Sequence, residues 1–293
     1  MQYWHMQRLW VNKMGIRIIA DSTCDLSQEL VQKYNITIVP LSIIMGDDSF
    51  YDGEDVTPDK IFEWADANKT TPKTAAVTEE RAEAVLRPLI DAGEEIIFFC
   101  ISSKMSSTCN VISMVGNGYD KLHVVDSYNL STGIGLQVIR AAELAAAGLD
   151  AESIVRNIEA DRVKVRASFV IDTLTYLSRG GRCSAVTALL ANTLRIHPII
   201  EVKDGAMGVA KKLRGHVEHA IMTYVTGLEN DLKNAHPARV FITHSGCDAA
   251  LVNEVRDYLK SLGVFEEILE TRAGGVISSH CGPNTLGVLF YEK

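Results

Sequence analysis

The densest set of reactive side chains in this sequence is a spill of small hydroxyls in FFCISSKMSSTCN, residues 98–110. Phe98, Phe99, Cys100 and Ile101 read as the end of a buried strand, and Ser102, Ser103, Ser106, Ser107 and Thr108 follow almost at once. Such hydroxyls can cap a helix, arm a nucleophile or hold an anion. A nucleophile needs one activated hydroxyl beside a base and an orienting acid, and the chain has no GxSxG elbow. Several O–H donors beside the free N–H groups of a starting helix instead suit a carboxylate or a phosphate. An anion cradle is therefore the favoured reading.

Two histidines stand in comparable surroundings, His244 at the end of VFITHS and His280 in SSHCGP, each ending or following a strand-like segment. A satisfied structural histidine is the competing account of both. HVEH places His216 and His219 three residues apart on a helix, but HExxH is absent and a solvated helix face explains the pair better. TGIGLQV lacks the third glycine of a dinucleotide fingerprint, and no GxxxxGK[ST] loop occurs. YLSRGGRCS puts Arg179 and Arg182 around a double glycine: a helix C-cap with a basic last turn, or a device presenting Arg182 at a site rim. Lys211, Lys212 and Arg214 form a second basic group.

The elements that must position these residues alternate. IRIIADS, ITIVPLSI (36–43), EIIFFCIS and KLHVVDS read as strands, and between them LSQELVQKYN, TPDKIFEWADAN, VTEERAEAVLRPLIDAG and TGIGLQVIRAAELAAAG read as helices. The rhythm predicts a Rossmann-like parallel sheet over 15–165, with a small acidic insert near 45–60. Ligands of such sheets sit beyond the carboxyl ends of the strands, here ADSTCD, CISSKMSS and VVDSYN, each bearing a serine. RASFVID, a hairpin around Asp204-Gly205, ARVFITHS, VFEEILETR and LGVLFYEK then predict a second α+β domain over 166–293. The fold class is α/β.

Composition narrows the function classes. The chain has 293 residues, 47% hydrophobic and 23% charged, which is globular. A net charge of −8 speaks against a broad nucleic-acid-binding face. No apolar run approaches a bilayer span, and residues 1–14 read as a tag or a disordered extension without the apolar core of a signal peptide. Six scattered cysteines without a CxxC pair fit reduced thiols in the cytoplasm.

ADSTCDL, PKT (72–74), ISSKMSSTCN, VVDSYNLSTGIG, YLSRGGR, LRIHPII…DG and SSHCGPNTLG occur in this order from about Ile16 to the C-terminus. The combination resembles the DegV family of bacterial fatty-acid-binding proteins, which includes the B subunit of fatty acid kinase. The resemblance implies one long-chain fatty acid in a buried apolar tunnel, its carboxylate held by Thr74, by Ser103 or Ser106, and by His280. Arg182 matches an arginine that faces the catalytic partner. It further implies that the bound acid is presented to a separate ATP-binding kinase subunit, and the missing nucleotide loop agrees with that division of labour. No metal or other cofactor is implied, and a monomer with at most transient membrane contact is expected.

The sequence departs from the family pattern at TAAV (Thr74–Val77), SSTC (Ser106–Cys109) and GPN (Gly282–Asn284), where TSQP, SGTY and GPG are usual. These changes bear on carboxylate geometry and acyl preference. Burial of a C16 tail supplies roughly 10 kcal/mol before ordering costs, at about 0.8 kcal/mol per methylene. TALLANTLRI offers apolar residues for a tunnel wall or for ordinary core. The competing function is a hydrolase or phosphotransferase using Ser103 or Ser106 with His280.

Overall fold

Strand and helix signals alternate through the first half of the chain, and the computed structural model, which describes residues 15–184 and 196–293, turns them into a parallel sheet. Its strands come from β1 (Ile16–Asp21), β2 (Thr37–Val39), β3 (Ser42–Met45), β4 (Asp48–Tyr51), β5 (Lys73–Ala75), β6 (Glu95–Cys100) and β7 (Leu122–Asp126). The order β2-β1-β6-β7 is parallel throughout. Central β6 is buried on both faces, as its unbroken Ile-Ile-Phe-Phe-Cys run requires.

The remaining three strands form a separate antiparallel sheet, β4-β3-β5. The expected strand 36–43 is thus split at Pro40 into β2 and β3, which belong to different sheets. Proline has no N–H for a ladder and marks the break. The acidic insert is a hairpin on which β5 closes, pairing Thr74 with Ile43.

Helices α1 (Gln28–Lys33), α2 (Pro58–Asn68), α3 (Glu79–Asp91), α4 (Thr108–Val115), α5 (Thr132–Ala146), α6 (Ala151–Asp161) and α7 (Leu174–Gly180) fill the crossovers and the junction. Ser27, Thr57 and Thr78 cap α1, α2 and α3 through their side-chain oxygens.

The second half builds a six-stranded sheet from β8 (Val165–Val170), β9 (Ile196–Lys203), β10 (Ala206–Arg214), β11 (Ala235–His244), β12 (Glu267–Arg272) and β13 (Leu286–Glu292). Its order is β10-β9-β8-β13-β11-β12, antiparallel except for the β11–β12 pair. The hairpin forms where expected, with Asp204 and Gly205 both at positive φ. Helices α8 (Val217–Gly227), α9 (Glu229–Lys233) and α10 (Ala249–Ser261) accompany this sheet, and α11 (Gly275–Cys281) precedes β13. His280, read from sequence as ending or following a strand-like segment, follows β12 and lies on helix α11. The proposed tail wall TALLANTLRI lies almost wholly outside the described residues, as does the extension 1–14.

Helix α5 is apolar on nearly every side and packs between the two large sheets. One core consequently runs from Ile18 and Phe99 of the first sheet, through Ile134 and Val138, to Phe169 and Leu289 of the second. The chain changes sheet at Val165 without a break in this core.

Candidate functional site

The carboxyl ends of β1, β6 and β7 are tied together before any ligand chemistry begins. Buried Asp21 accepts the N–H of Ile101 at 2.7 Å and also bonds Thr23. Asp126 accepts the N–H of Ser103 at 3.2 Å. Ser102 gives its N–H to Asn129 O at 2.9 Å, and its hydroxyl to Gly205 O at 2.7 Å, anchoring the β9–β10 hairpin to this loop. Ser22 bonds Asp52, and Ser127 bonds Asn129 O. The serines at the three strand ends are thus largely structural.

Ser106 differs. It is half-buried, its hydroxyl lies 3.0 Å from that of Thr108, and it faces a cavity. Thr74, His280 and Arg182 line the same cavity. Ser103 is exposed and outside this lining. The remaining walls are apolar, with Leu41, Ile101, Met105, Leu177 and Val276 among them, and the space is about 510 Å³ including its open mouth.

Thr74 reaches the cavity because β5 pairs with buried Ile43. Its Oγ1 is 2.8 Å from His280 Nε2. His280 is carried by α11, whose opposite end is fixed by two buried carboxylates. Asp25 accepts the N–H of Gly274 at 2.8 Å and the Ser131 hydroxyl, and Asp52 accepts the N–H of Gly275 at 2.7 Å and the Ser22 hydroxyl at 2.8 Å. These carboxylates satisfy donors that a helix start leaves free, where its dipole favours negative charge. Burial nonetheless raises the pKa of both, and takes that of Asp21 to about 6. Ser278 and Ser279 of SSHCGP bond Ala273 O and Gly275 O, within and just before their own helix.

The double glycine has two separate jobs. A Cβ on Gly180 would lie 2.1 Å from His280 Nδ1, so a side chain there would collide with the imidazole. Gly181 ends α7 at φ 68, a left-handed conformation that costs glycine little. The chain then turns to Arg182, which is exposed at the cavity mouth and donates to Gly180 O at 2.7 Å. The cap reading of this motif matches the structure, and Arg182 lies beside the cavity.

The His280 ring is largely enclosed, and its Nδ1 is buried without a hydrogen-bond partner among the described residues. Burial, helped by the positive charge of Arg182, lowers its pKa to about 4, so the imidazole is neutral at pH 7. Thr74 pairs with His280 while Ser106 pairs with Thr108, so the contacts do not form a serine–histidine nucleophile pair.

The model of the DegV family of uncharacterised proteins matches residues 15–293. The chain belongs to the DegV family. A DegV domain-containing protein of Clostridium perfringens is 29% identical over 280 residues, covering 95% of this chain and 99% of that one. One from Caldanaerobacter subterraneus is 30% identical over 280 residues, covering the same shares. Among solved structures, a fatty-acid-binding DegV family protein from Thermus thermophilus superposes with TM-score 0.86 at 28% identity, over 96% of this chain and all of that one. A stearic-acid-binding protein from Eubacterium ventriosum superposes with TM-score 0.82 at 27% identity, over 95% and 98% of the two chains.

Within this DegV fold the other sequence candidates have local explanations. His244 Nδ1 accepts the N–H groups of Gly246 and Cys247 at 3.3 and 3.2 Å, and Nε2 faces Glu270. It holds the turn after β11. His216 is the residue before α8, and no group of three metal-ligating side chains occurs among the described residues. No described helix is long and apolar enough to cross a membrane. Sequence reading missed the carboxylates of Asp21, Asp25 and Asp52, although ADSTCDL already held two of them. Short acidic side chains at strand ends, next to Ser and Thr, were the available signal.

Proposed function

We propose that this DegV protein binds one long-chain fatty acid, with its carboxylate at Thr74, Ser106 and His280 and its tail in the apolar cavity. The observation that carries the reading is the make-up of the cavity, whose walls are apolar except where Thr74, Ser106, His280 and Arg182 gather. That is the form of an amphiphile site: methylenes supply affinity and a few polar groups fix orientation. The fatty-acid-binding Thermus and Eubacterium relatives support it. Arg182 supplies the positive charge a carboxylate needs, because the imidazole is neutral. Ser103, the alternative to Ser106, stands outside the site in this reading.

The protein then presents the acid to a separate ATP-dependent kinase subunit for acyl-phosphate formation. The exposure of Arg182 at the mouth supports this step, since it leaves the head group within reach of a docked partner. A serine-based hydrolase has less support, because His280 is engaged by Thr74.

Mass spectrometry of the denatured, purified protein is expected to release close to one fatty acid per chain. An empty protein that also takes up neither palmitate nor oleate would overturn the reading. Thr74→Ala and His280→Ala are expected to reduce acyl-phosphate formation by an added kinase subunit more than they reduce tail affinity. Equal loss of both would point to unfolding instead.

A further inference from the structure

Beside the cavity that holds Thr74 and His280, toward the second sheet, lies a second, about 340 Å³ including its open mouth and lined by Phe169, Ala273, Gly287 and Leu289 among others. The two cavities share three wall residues, Leu130, Ile277 and Cys281. Leu130 comes from the loop between β7 and α5. Ile277 and Cys281 are one turn apart on α11, so their side chains stack on one helix face. All three are buried.

The inner cavity also touches Ser131, Thr243, Ser245 and Thr285, and each of their hydroxyls is bonded elsewhere. Ser131 bonds Asp25, Thr243 is paired with Thr132 and Thr271, Ser245 donates to Gly282 O, and Thr285 donates to Cys281 O. Their polar atoms are spent on the protein, so the inner chamber offers hydrocarbon an apolar surface. Burial raises the Cys281 thiol to a pKa of about 12, which leaves it un-ionised and effectively apolar.

We propose that Leu130, Ile277 and Cys281 form the waist of a two-chamber acyl tunnel, and that the small Cys281 side chain sets which tails pass into the inner chamber. This rests on the fatty-acid reading above and adds a determinant of chain length to it. A short tail ends in the outer chamber beside Met105 and Met207. A long tail threads the waist, and each methylene beyond it contributes about fourfold in affinity, the equivalent of about 0.8 kcal/mol. A larger residue at 281 closes the waist and removes that gain for long tails alone. Ile277→Ala opens it.

The test is a binding series of saturated acids from C8 to C18 against wild type, Cys281→Leu, Cys281→Phe and Ile277→Ala, with thermal melts to establish folding. Cys281→Leu and Cys281→Phe are expected to lower the ratio of C16 to C10 affinity at least tenfold. Ile277→Ala is expected to improve relative uptake of cis-unsaturated or branched tails of the same length. A folded Cys281→Leu protein with the wild-type C16-to-C10 ratio overturns the waist. Should Cys281→Phe fail to fold, Cys281→Leu and Ile277→Ala decide the matter. Wild type that binds no acid of any length would instead refute the fatty-acid reading, so the two failures are distinct.

Discussion

The two ends of helix α11 are both enclosed and both polar, yet they are built on opposite rules. At the start, the carboxylates are fully engaged: Asp25 takes the Gly274 N–H and the Ser131 hydroxyl, and Asp52 takes the N–H groups of Gly275 and Val276 and the Ser22 hydroxyl. At the end, His280 bonds Thr74 and leaves Nδ1 without a partner among the described residues. Fully satisfied buried networks fix geometry, whereas a sparsely bonded side chain at a cavity wall is left freer to adjust. The start of the helix fixes its position, and its end carries the proposed head-group site.

The largest effect should come from the placing end. Asp52→Ala strips the acceptor from Gly275 N–H and the Ser22 hydroxyl, and Asp25→Ala does the same to Gly274 and Ser131. One buried and one part-buried donor left unpaired cost about 2–3 kcal/mol in each variant. Urea unfolding measures this, and His280→Ala is expected to cost less than half as much. A His280→Ala penalty equal to that of Asp52→Ala would erase the distinction between the two ends.

Gly180→Ala comes next and acts on the binding end. Its Cβ would meet the imidazole at 2.1 Å, so the ring or α7 must shift, an overpacking cost of about 1–3 kcal/mol. The displaced ring loses Thr74, and fatty-acid affinity falls with stability. Gly181→Ala, at φ 68 with nothing near its Cβ, costs about 1 kcal/mol through the backbone and leaves the imidazole where it is. Titration calorimetry with palmitate separates the two: a folded Gly180→Ala protein with undiminished affinity would show that the glycine does not serve His280.

The ends also pull stability in opposite directions with pH. His280 stays neutral in the folded protein down to about pH 4, while the same side chain in the unfolded chain protonates near 6.5. Its contribution is therefore complete above pH 6.5 and is lost as pH falls toward 4. Asp21, at about 6, runs the other way, its contribution complete below the unfolded carboxylate value and lost as pH rises through 6. Asp25 and Asp52, raised by the same burial, follow Asp21. The opposing slopes partly cancel between pH 4.5 and 6.5. His280→Gln removes one of them, and its stability at pH 4.5 relative to pH 6.5 should exceed that of wild type by about 1–2 kcal/mol. An unaltered profile would mean that His280 titrates alike in the folded and unfolded protein.

The same contrast explains what sequence revealed. The parallel sheet and the hairpin at Asp204-Gly205 were legible because their signals are local: apolar runs and turn residues. The cavity set of Thr74, Ser106, His280 and Arg182 was reached through ordered motifs, since no local rule joins residues 206 apart such as Thr74 and His280. The strand boundary at Pro40 was hidden by the continuous apolar pattern of ITIVPLSI, which fits one long strand as well as two. Helix α11 escaped because GVISSHC is short and its first donors are capped by Asp25 and Asp52, more than 200 positions away in the sequence. Local pattern cannot show a cap supplied from so far.

The smallest expected effect decides between the two serines that sequence left open. Ser106 faces the cavity with a hydroxyl shared, among the described residues, with Thr108 and its N–H, so it has acceptor and donor capacity to turn toward a carboxylate. Ser103 is exposed, and the structure uses its backbone N–H, toward Asp126, which an alanine retains. Ser106→Ala should therefore weaken palmitate binding about fivefold, the equivalent of about 1 kcal/mol for one hydrogen bond. Ser103→Ala should stay within about 0.5 kcal/mol of wild type in both affinity and stability, as exposed substitutions usually do. The reverse ranking would move the head group out of the cavity mouth toward Asp126, where a carboxylate would meet like charge, and would place the ligand at a different end of the loop from the one Thr74 and His280 define.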